Sequence, residues 1–290
     1  MNYDSISTVN HDILTYGKDN FIVVTGGIGD FLTINYFLSY GDQKNIIFIS
    51  KQSLKLKKIF TFYYPEKKFY AIYFNFSSIG KPGFTNNKEL LKFYPKLNII
   101  NSVHISDYFP LIRNYKLTIQ NNKILTEIVK NNIRNVFNIP EIFAIINPYT
   151  EDNRINCINC NISHKNINSC KLTRNFIYED YINIFNFLKK KKITGVIISV
   201  VPITIPNEFE NIRVINLSLT KMDIIDCIEL VKQCSYFFGI DSFFSVIASK
   251  LLPSNNIYVK CNNNHGHNNK DIYWFPNKNI ILQSFINIKY

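Results

Sequence analysis

Short apolar runs alternate with stretches of helical spacing along nearly the whole chain, and this alternation restricts the fold more than any other feature of the sequence. Phe21-Ile-Val-Val-Thr25 reads as a buried strand, breaks at Gly26-Gly-Ile-Gly-Asp30 and passes into a helix-like stretch from Phe31 to Tyr40. The pattern then repeats. Asn45–Ser50 reads as strand, Ser53–Phe62 as helix, Phe69–Phe76 as strand, Lys88–Phe93 as a short helix and Asn98–His104 as strand. Over 122–137, Ile124, Ile128, Ile133 and Val136 recur at near-helical spacing until Pro140 stops the run.

A second series starts at Ile142-Phe-Ala-Ile-Ile146 and continues after an irregular polar stretch that ends near Asn175. Tyr178–Lys192, Met222–Cys234 and Ser242–Leu252 read as helices. Thr194–Val201, Arg213–Leu217, Tyr236–Ile240 and Asn256–Lys260 read as strands. Strand and helix in regular succession bury their apolar faces as a mostly parallel sheet covered by helices. The expectation is an α/β chain of two Rossmann-like domains, residues 1–140 and 141–290, the second carrying a Cys-containing insertion at about 151–175. The Asn-rich tract Asn262-Asn-Asn-His-Gly-His-Asn-Asn269 reads as a loop, with His265 and His267 solvated rather than paired on a metal.

Composition excludes several classes. With 290 residues, 46% hydrophobic and 15% aromatic, the chain has enough apolar surface for two cores and is not globally disordered. Its net charge of +12 invites a nucleic-acid reading, but the cations are nearly all Lys. Arg, the side chain that forks onto phosphate and guanine, occurs only at Arg113, Arg134, Arg154, Arg174 and Arg213, which disfavours nucleic acid as a partner. Lys189-Lys-Lys-Lys192 closes a helix, where cations suit the dipole. No run reaches the ~18 apolar residues of a membrane span, and Met1-Asn-Tyr-Asp-Ser5 lacks the basic start and apolar core of a signal peptide. A soluble, cytoplasmic protein is expected.

The glycine turn after the first strand suits a ligand. Gly26, Gly27 and Gly29 let the backbone turn tightly, and the following helix offers unpaired N–H groups. A nicotinamide fold would place a third glycine where Leu32 stands, and Asp30 would lie near the pyrophosphate. That disfavours a nicotinamide-dependent reductase or epimerase. Two roles stay open to Asp30: accepting the proton of an attacking hydroxyl, or merely complementing the helix dipole for ~0.3–1 kcal/mol.

Asp241-Ser-Phe-Phe-Ser-Val-Ile-Ala248, opening a helix after the strand Tyr236–Ile240, resembles the Asp-Ser/Thr-Gly-x-x-His-x-Ala motif of glycosyltransferase family 9, the heptosyltransferase-like enzymes. Asp241, Ser242 and Ala248 match; Phe243 replaces the family's Gly and Val246 its His. Gly26-Gly27-Ile28-Gly29-Asp30 looks like the family's N-terminal Gly-Asp motif. Asn147-Pro148 followed by Arg174-Asn-Phe-Ile-Tyr-Glu-Asp-Tyr181 looks like its Lys-x-Trp-Pro-x-Glu helix start. The three matches keep the family's order.

The resemblance implies a GT-B fold, two Rossmann-like domains facing across a cleft, acting as a glycosyltransferase that moves heptose or a related sugar to a hydroxyl with inversion. It implies the acceptor, a glycan or protein, on the first domain and a nucleotide-sugar, ADP-heptose by default, on the second. Asp30 would be the catalytic base. Arg174 would stand where a Lys grips the donor phosphates, and the N–H groups around Asp241, Ser242 and Phe243 would receive the diphosphate. A cation and helix amides suffice to stabilise that leaving group, so no catalytic metal is expected. The changes at Phe243 and Val246 leave a catalytically inactive, sugar-nucleotide-binding relative as the alternative. Tyr108 and Arg113 are candidates for an acceptor cleft.

Six cysteines in a chain of this size do not make a disulfide scaffold. Cys157, Cys160, His164 and Cys170 fall in one polar loop as Cys-x2-Cys-x3-His-x5-Cys, a donor set that one tetrahedral structural zinc would order. The fourth ligand is open between His164, Cys227 and Cys234. Iron is the other candidate, because the loop looks like the Cys-rich finger of autotransporter heptosyltransferases. Free thiols are the plain alternative.

Overall fold

The computed structural model describes residues 20–24, 45–50, 52–73, 102–104, 122–127, 133–149, 175–200, 202–205, 207–218, 220, 222–240, 242–260 and 281–282. The chain divides into two compact units, Met1–Glu127 and Ile128–Tyr290.

In the first unit, strands β1 (Asn20–Val24), β2 (Asn45–Ser50), β3 (Lys68–Tyr73) and β4 (Ser102–His104) form a parallel sheet in the order β3-β2-β1-β4. Every residue of β2 from Ile46 to Ser50 is buried, as expected of a strand in a sheet covered on both faces. Helix α1 (Ser53–Tyr63) lays Leu56, Ile59, Phe60 and Tyr63 on β2 and β3, a stripe at helical spacing. Phe48 stacks on Phe69, ring centroids 5.7 Å apart, and meets Phe60 at 5.2 Å.

The expected helix over 122–137 is two short ones, α2 (Lys123–Thr126) and α3 (Ile133–Val136). Glu127 is extended, with ψ 120°. The step from Ile128 to Ile133 is too long to keep both on one helical face, so the apolar spacing does not sustain a single helix. Lys123 Nζ pairs with Glu66 at 3.0 Å, tying α2 to the first unit. Helix α3 belongs with the second: Arg213 Nη2 donates to Asn138 O at 3.3 Å.

The second unit holds β5 (Phe143–Asn147), α4 (Tyr178–Lys191), β6 (Thr194–Ile197), β7 (Val214–Asn216), α5 (Ile224–Gln233), β8 (Tyr236–Ile240), α6 (Phe243–Leu251), β9 (Ile257–Lys260) and β10 (Ile281–Leu282). Helix α3 packs on α5. The sheet is parallel in the order β10-β9-β8-β5-β6-β7. Ala144, Ile146, Ile197, Phe238 and Ile240 face α4, where Ile184, Phe185, Phe187 and Leu188 complete the layer. Phe143, Ile145 and Phe237 alternate to the other face, and α6 packs on α5, β8 and β9. Helix α4 closes with Lys189, Lys190 and Lys191 in its last turn, where cations favour the dipole. Among the described residues, no helix is long and apolar enough to cross a membrane.

Candidate functional site

An open parallel sheet binds ligands outside the carboxyl ends of its strands, where the strand order reverses. In the second unit β5 is the turning strand: β6 and β7 follow on one side, and β8, β9 and β10 on the other. Asn147 ends β5 and is 4% exposed, so its amide must find partners inside the protein. Its Nδ2 donates to Ile198 O, just past β6, at 3.2 Å. Its Oδ1 accepts from Ser242 Oγ, beyond the end of β8, at 3.2 Å. One side chain thus joins three strand ends.

Ser242 is the N-cap of α6. Its own N–H donates to Ser245 Oγ at 2.9 Å, and Ser245 Oγ donates back to Ser242 O at 2.6 Å. These bonds fix the first turn, whose remaining N–H groups carry the positive end of the helix dipole. Phe243, the first helical residue, is 8% exposed and lies against Phe244, centroids 5.4 Å apart. Val246 is buried as well. Where the resembling motif has Gly and His, this helix start has two apolar side chains directed into the protein.

The neighbouring strand ends are equally fixed. Asn216 closes β7, donates through Nδ2 to Ile203 O at 2.7 Å and accepts from Ser218 Oγ at 2.6 Å. Ile203 N donates to Ser218 Oγ at 2.9 Å, so the loop past β6 is held to the loop past β7. On the other side, Phe176 N donates to Pro148 O at 3.2 Å, which docks the start of α4 beside the end of β5. Asp180 caps α4 by accepting from Ile177 N at 2.8 Å. Lys260, the last residue of β9, donates to Asp180 Oδ2 at 2.5 Å and to Asn175 O at 3.1 Å.

Of the catalytic and donor-binding residues expected from sequence, the structure describes Ser242 and Phe243, and it places both at this carboxyl edge. Asp30, Gly26, Gly27, Gly29, Arg174 and Asp241 lie outside the described residues, as do Cys157, Cys160, His164, Cys170, Tyr108, Arg113, His265 and His267. In the first unit β1 is the turning strand, flanked by β2 and β4, and the glycine turn follows it directly in sequence.

Among the described residues, no group of three or more His, Cys, Asp and Glu side chains is placed to hold a metal. Cys227 and Cys234, open as outlying ligands, are free thiols that burial pushes up to about 12. Cys234 Sγ donates to Val231 O at 3.2 Å, so that thiol is both protonated and engaged.

Sequence reasoning missed Asn216, Ser218 and Lys260. For Lys260 a signal existed: a cation ending the apolar run Ile257-Tyr-Val-Lys260 needs a buried partner.

The chain matches no family model and no curated protein. It is similar to a solved structure, the glycosyl transferase family 9 protein from Veillonella parvula, with a TM-score of 0.51 and 9% identity over 91% of this chain and 86% of that one. At this identity the likeness is one of fold. The α/β architecture expected from the sequence motifs is the one the chain adopts.

Proposed function

We propose that this chain is a glycosyltransferase that moves a sugar from a nucleotide-sugar to a hydroxyl acceptor with inversion at the anomeric carbon. The observation that carries the reading is the Asn147–Ser242 junction: the start of α6 opens at the switch point of the second sheet, where an open α/β sheet takes its ligand. The fold likeness supports it, as do the three sequence motifs in family order.

In this reading the second unit holds the donor. The backbone N–H groups around Asp241, Ser242 and Phe243 meet the diphosphate, with Arg174 supplying a cation to it. The acceptor hydroxyl attacks the anomeric carbon while its proton passes to the Asp30 carboxylate. The bond from that carbon to the diphosphate oxygen breaks, the oxygen keeps the electron pair, and Arg174 and the helix amides stabilise its charge. A single displacement inverts the centre. ADP-heptose is the default donor, and a glycan or protein the acceptor. Cys157, Cys160 and Cys170, with a fourth ligand open between His164, Cys227 and Cys234, would hold one structural zinc or iron ion, and four protein ligands would leave no position for substrate.

A second reading, donor binding without turnover, draws on the buried Phe243 and Val246. Calorimetric titration with a panel of nucleotide-sugars tests the site: selective binding that is lost in Asp241→Ala and in Arg174→Ala is the expected result. Binding to none of the panel would overturn the transferase reading. Selective binding without transfer to any glycan or protein acceptor would favour the second one.

A further inference from the structure

Lys260 and Asp180 form an ion pair inside the protein, 4% and 1% exposed, between the last residue of β9 and the first turn of α4. Such a pair rarely stabilises a fold more than apolar residues of the same size would, because both charges give up their water. What it provides is direction. The same ammonium donates to Asn175 O at 3.1 Å, and the same carboxylate oxygen accepts from Ile177 N at 2.8 Å. The irregular segment before α4 is therefore held at Asn175 by Lys260, at Phe176 by Pro148 O, and at Ile177 by Asp180. Two of these bonds depend on the buried pair. Among the described residues, the side-chain Oδ1 of Asn175 is buried without a hydrogen-bond partner.

We infer that Lys260, acting with Asp180, is a positioning residue for nucleoside diphosphate binding: it fixes the backbone at Asn175 beside the ends of β5 and β9, and so sets the donor-facing start of α4. The inference rests on the donor-site reading above. Lys260 touches no ligand in this scheme. It acts through the carbonyl of Asn175, the residue that follows Arg174 in the chain. Loss of the pair should therefore weaken donor binding and raise the KM for donor.

The test is calorimetric titration of the full chain with ADP and UDP, each variant held well below its own melting temperature. Lys260→Met keeps the aliphatic stem and removes the charge; Asp180→Asn keeps an acceptor for Ile177 N–H. Lys232→Met is the control, since it breaks another buried ion pair, Lys232 Nζ to Glu229 Oε1 at 2.8 Å on α5. The expected result is an at least tenfold higher dissociation constant for both Lys260→Met and Asp180→Asn, no further loss in the double variant, and less than a twofold change for Lys232→Met despite a similar fall in Tm. Unchanged affinity in folded Lys260→Met would overturn the inference while leaving the donor site standing, and an equal loss in Lys232→Met would reduce the pair to general stability. A wild-type chain that binds neither nucleotide would overturn the donor-site reading, and this inference with it. Should Lys260→Met not fold, Lys260→Arg, which keeps the charge but displaces the donating nitrogen, carries the same expectation and the same overturning result.

Discussion

Ser242 Oγ donates to Asn147 Oδ1 at 3.2 Å, joining the start of α6 to the end of β5 where the strand order of the second sheet reverses. The two residues lie 95 positions apart in sequence, and the same Asn147 amide also reaches Ile198 O at 3.2 Å. The two partners should therefore differ in what their removal costs. Ser242→Ala deletes one neutral hydrogen bond and leaves the buried Asn147 Oδ1 without that donor, at a cost of about 1–2 kcal/mol. Asn147→Ala strips partners from both Ser242 Oγ and Ile198 O and leaves a buried gap, which should cost about 2–3 kcal/mol. Urea unfolding of both variants checks the ranking, and a Ser242→Ala variant as unstable as Asn147→Ala would contradict the bridging role.

Gly239 sits on β8 with the Phe237 ring laid over it. A Cβ added there would stand 2.4 Å from Phe237 Cε1 and 2.6 Å from Cζ, closer than carbon atoms approach. Phe237 is fully buried, so its ring has little room to turn away. Gly239→Ala should destabilise by about 1–3 kcal/mol through overpacking. Replacing Phe237 by Leu in the same chain should recover part of that loss, as measured by the denaturant midpoint.

Burial pushes the Cys234 thiol up to about 12 from its usual 9.0, and Cys227 rises alike. A folded-state pKa above the unfolded one gives stability that is complete below the unfolded pKa and lost as pH climbs through the folded value. Stability should thus decline between about pH 9 and about pH 12, and Cys234→Ala should flatten part of that alkaline limb. Peptide-level mass spectrometry after iodoacetamide at pH 8 should find Cys234 unlabelled until the chain unfolds. Fast labelling in the native state would show that the thiol is not enclosed.

What the sequence made legible follows from what periodicity can carry. Asn45–Ser50 and Tyr236–Ile240 agree with the structure at both ends because each is a continuous apolar run bounded by polar or turn residues. The stretch 122–137 misleads because its five-residue step from Ile128 to Ile133 passes for helical spacing when only the neighbouring steps are weighed. Strand β10 has two residues, Ile281 and Leu282, too few to show any period. At the site, Ser242 was legible as part of a helix-start motif. The Lys260–Asp180 pair was not, since its partners are 80 residues apart and only the sheet order brings them together.

If the proposed metal site is correct, the Cys-x2-Cys-x3-His-x5-Cys segment should bind about one zinc or iron per chain. Elemental analysis of protein purified without chelator checks the number. Cys157→Ser with Cys160→Ser should abolish it, and chelation should lower Tm because metal binding to such a loop is part of its folding free energy. Metal-free protein with an unchanged Tm would leave these residues as free thiols.

Asp30 decides between transfer and mere binding. As a general base it takes a proton from the attacking hydroxyl, a contribution worth about 10²–10⁴-fold in rate, so Asp30→Asn should lower kcat by that factor. Asn keeps the size of the side chain and an oxygen acceptor, and it removes both the negative charge and the basicity. Donor affinity, assigned to the second unit, should stay within twofold of wild type by calorimetry. If Asp30 instead complements the helix dipole, the same change costs only about 0.3–1 kcal/mol of stability and leaves turnover intact. The ratio of wild-type to variant kcat at saturating donor, read beside the shift in denaturant midpoint, separates the two roles. A hundredfold loss at unchanged stability identifies the base, whereas full turnover with a small stability loss identifies a helix-dipole carboxylate and moves the base elsewhere.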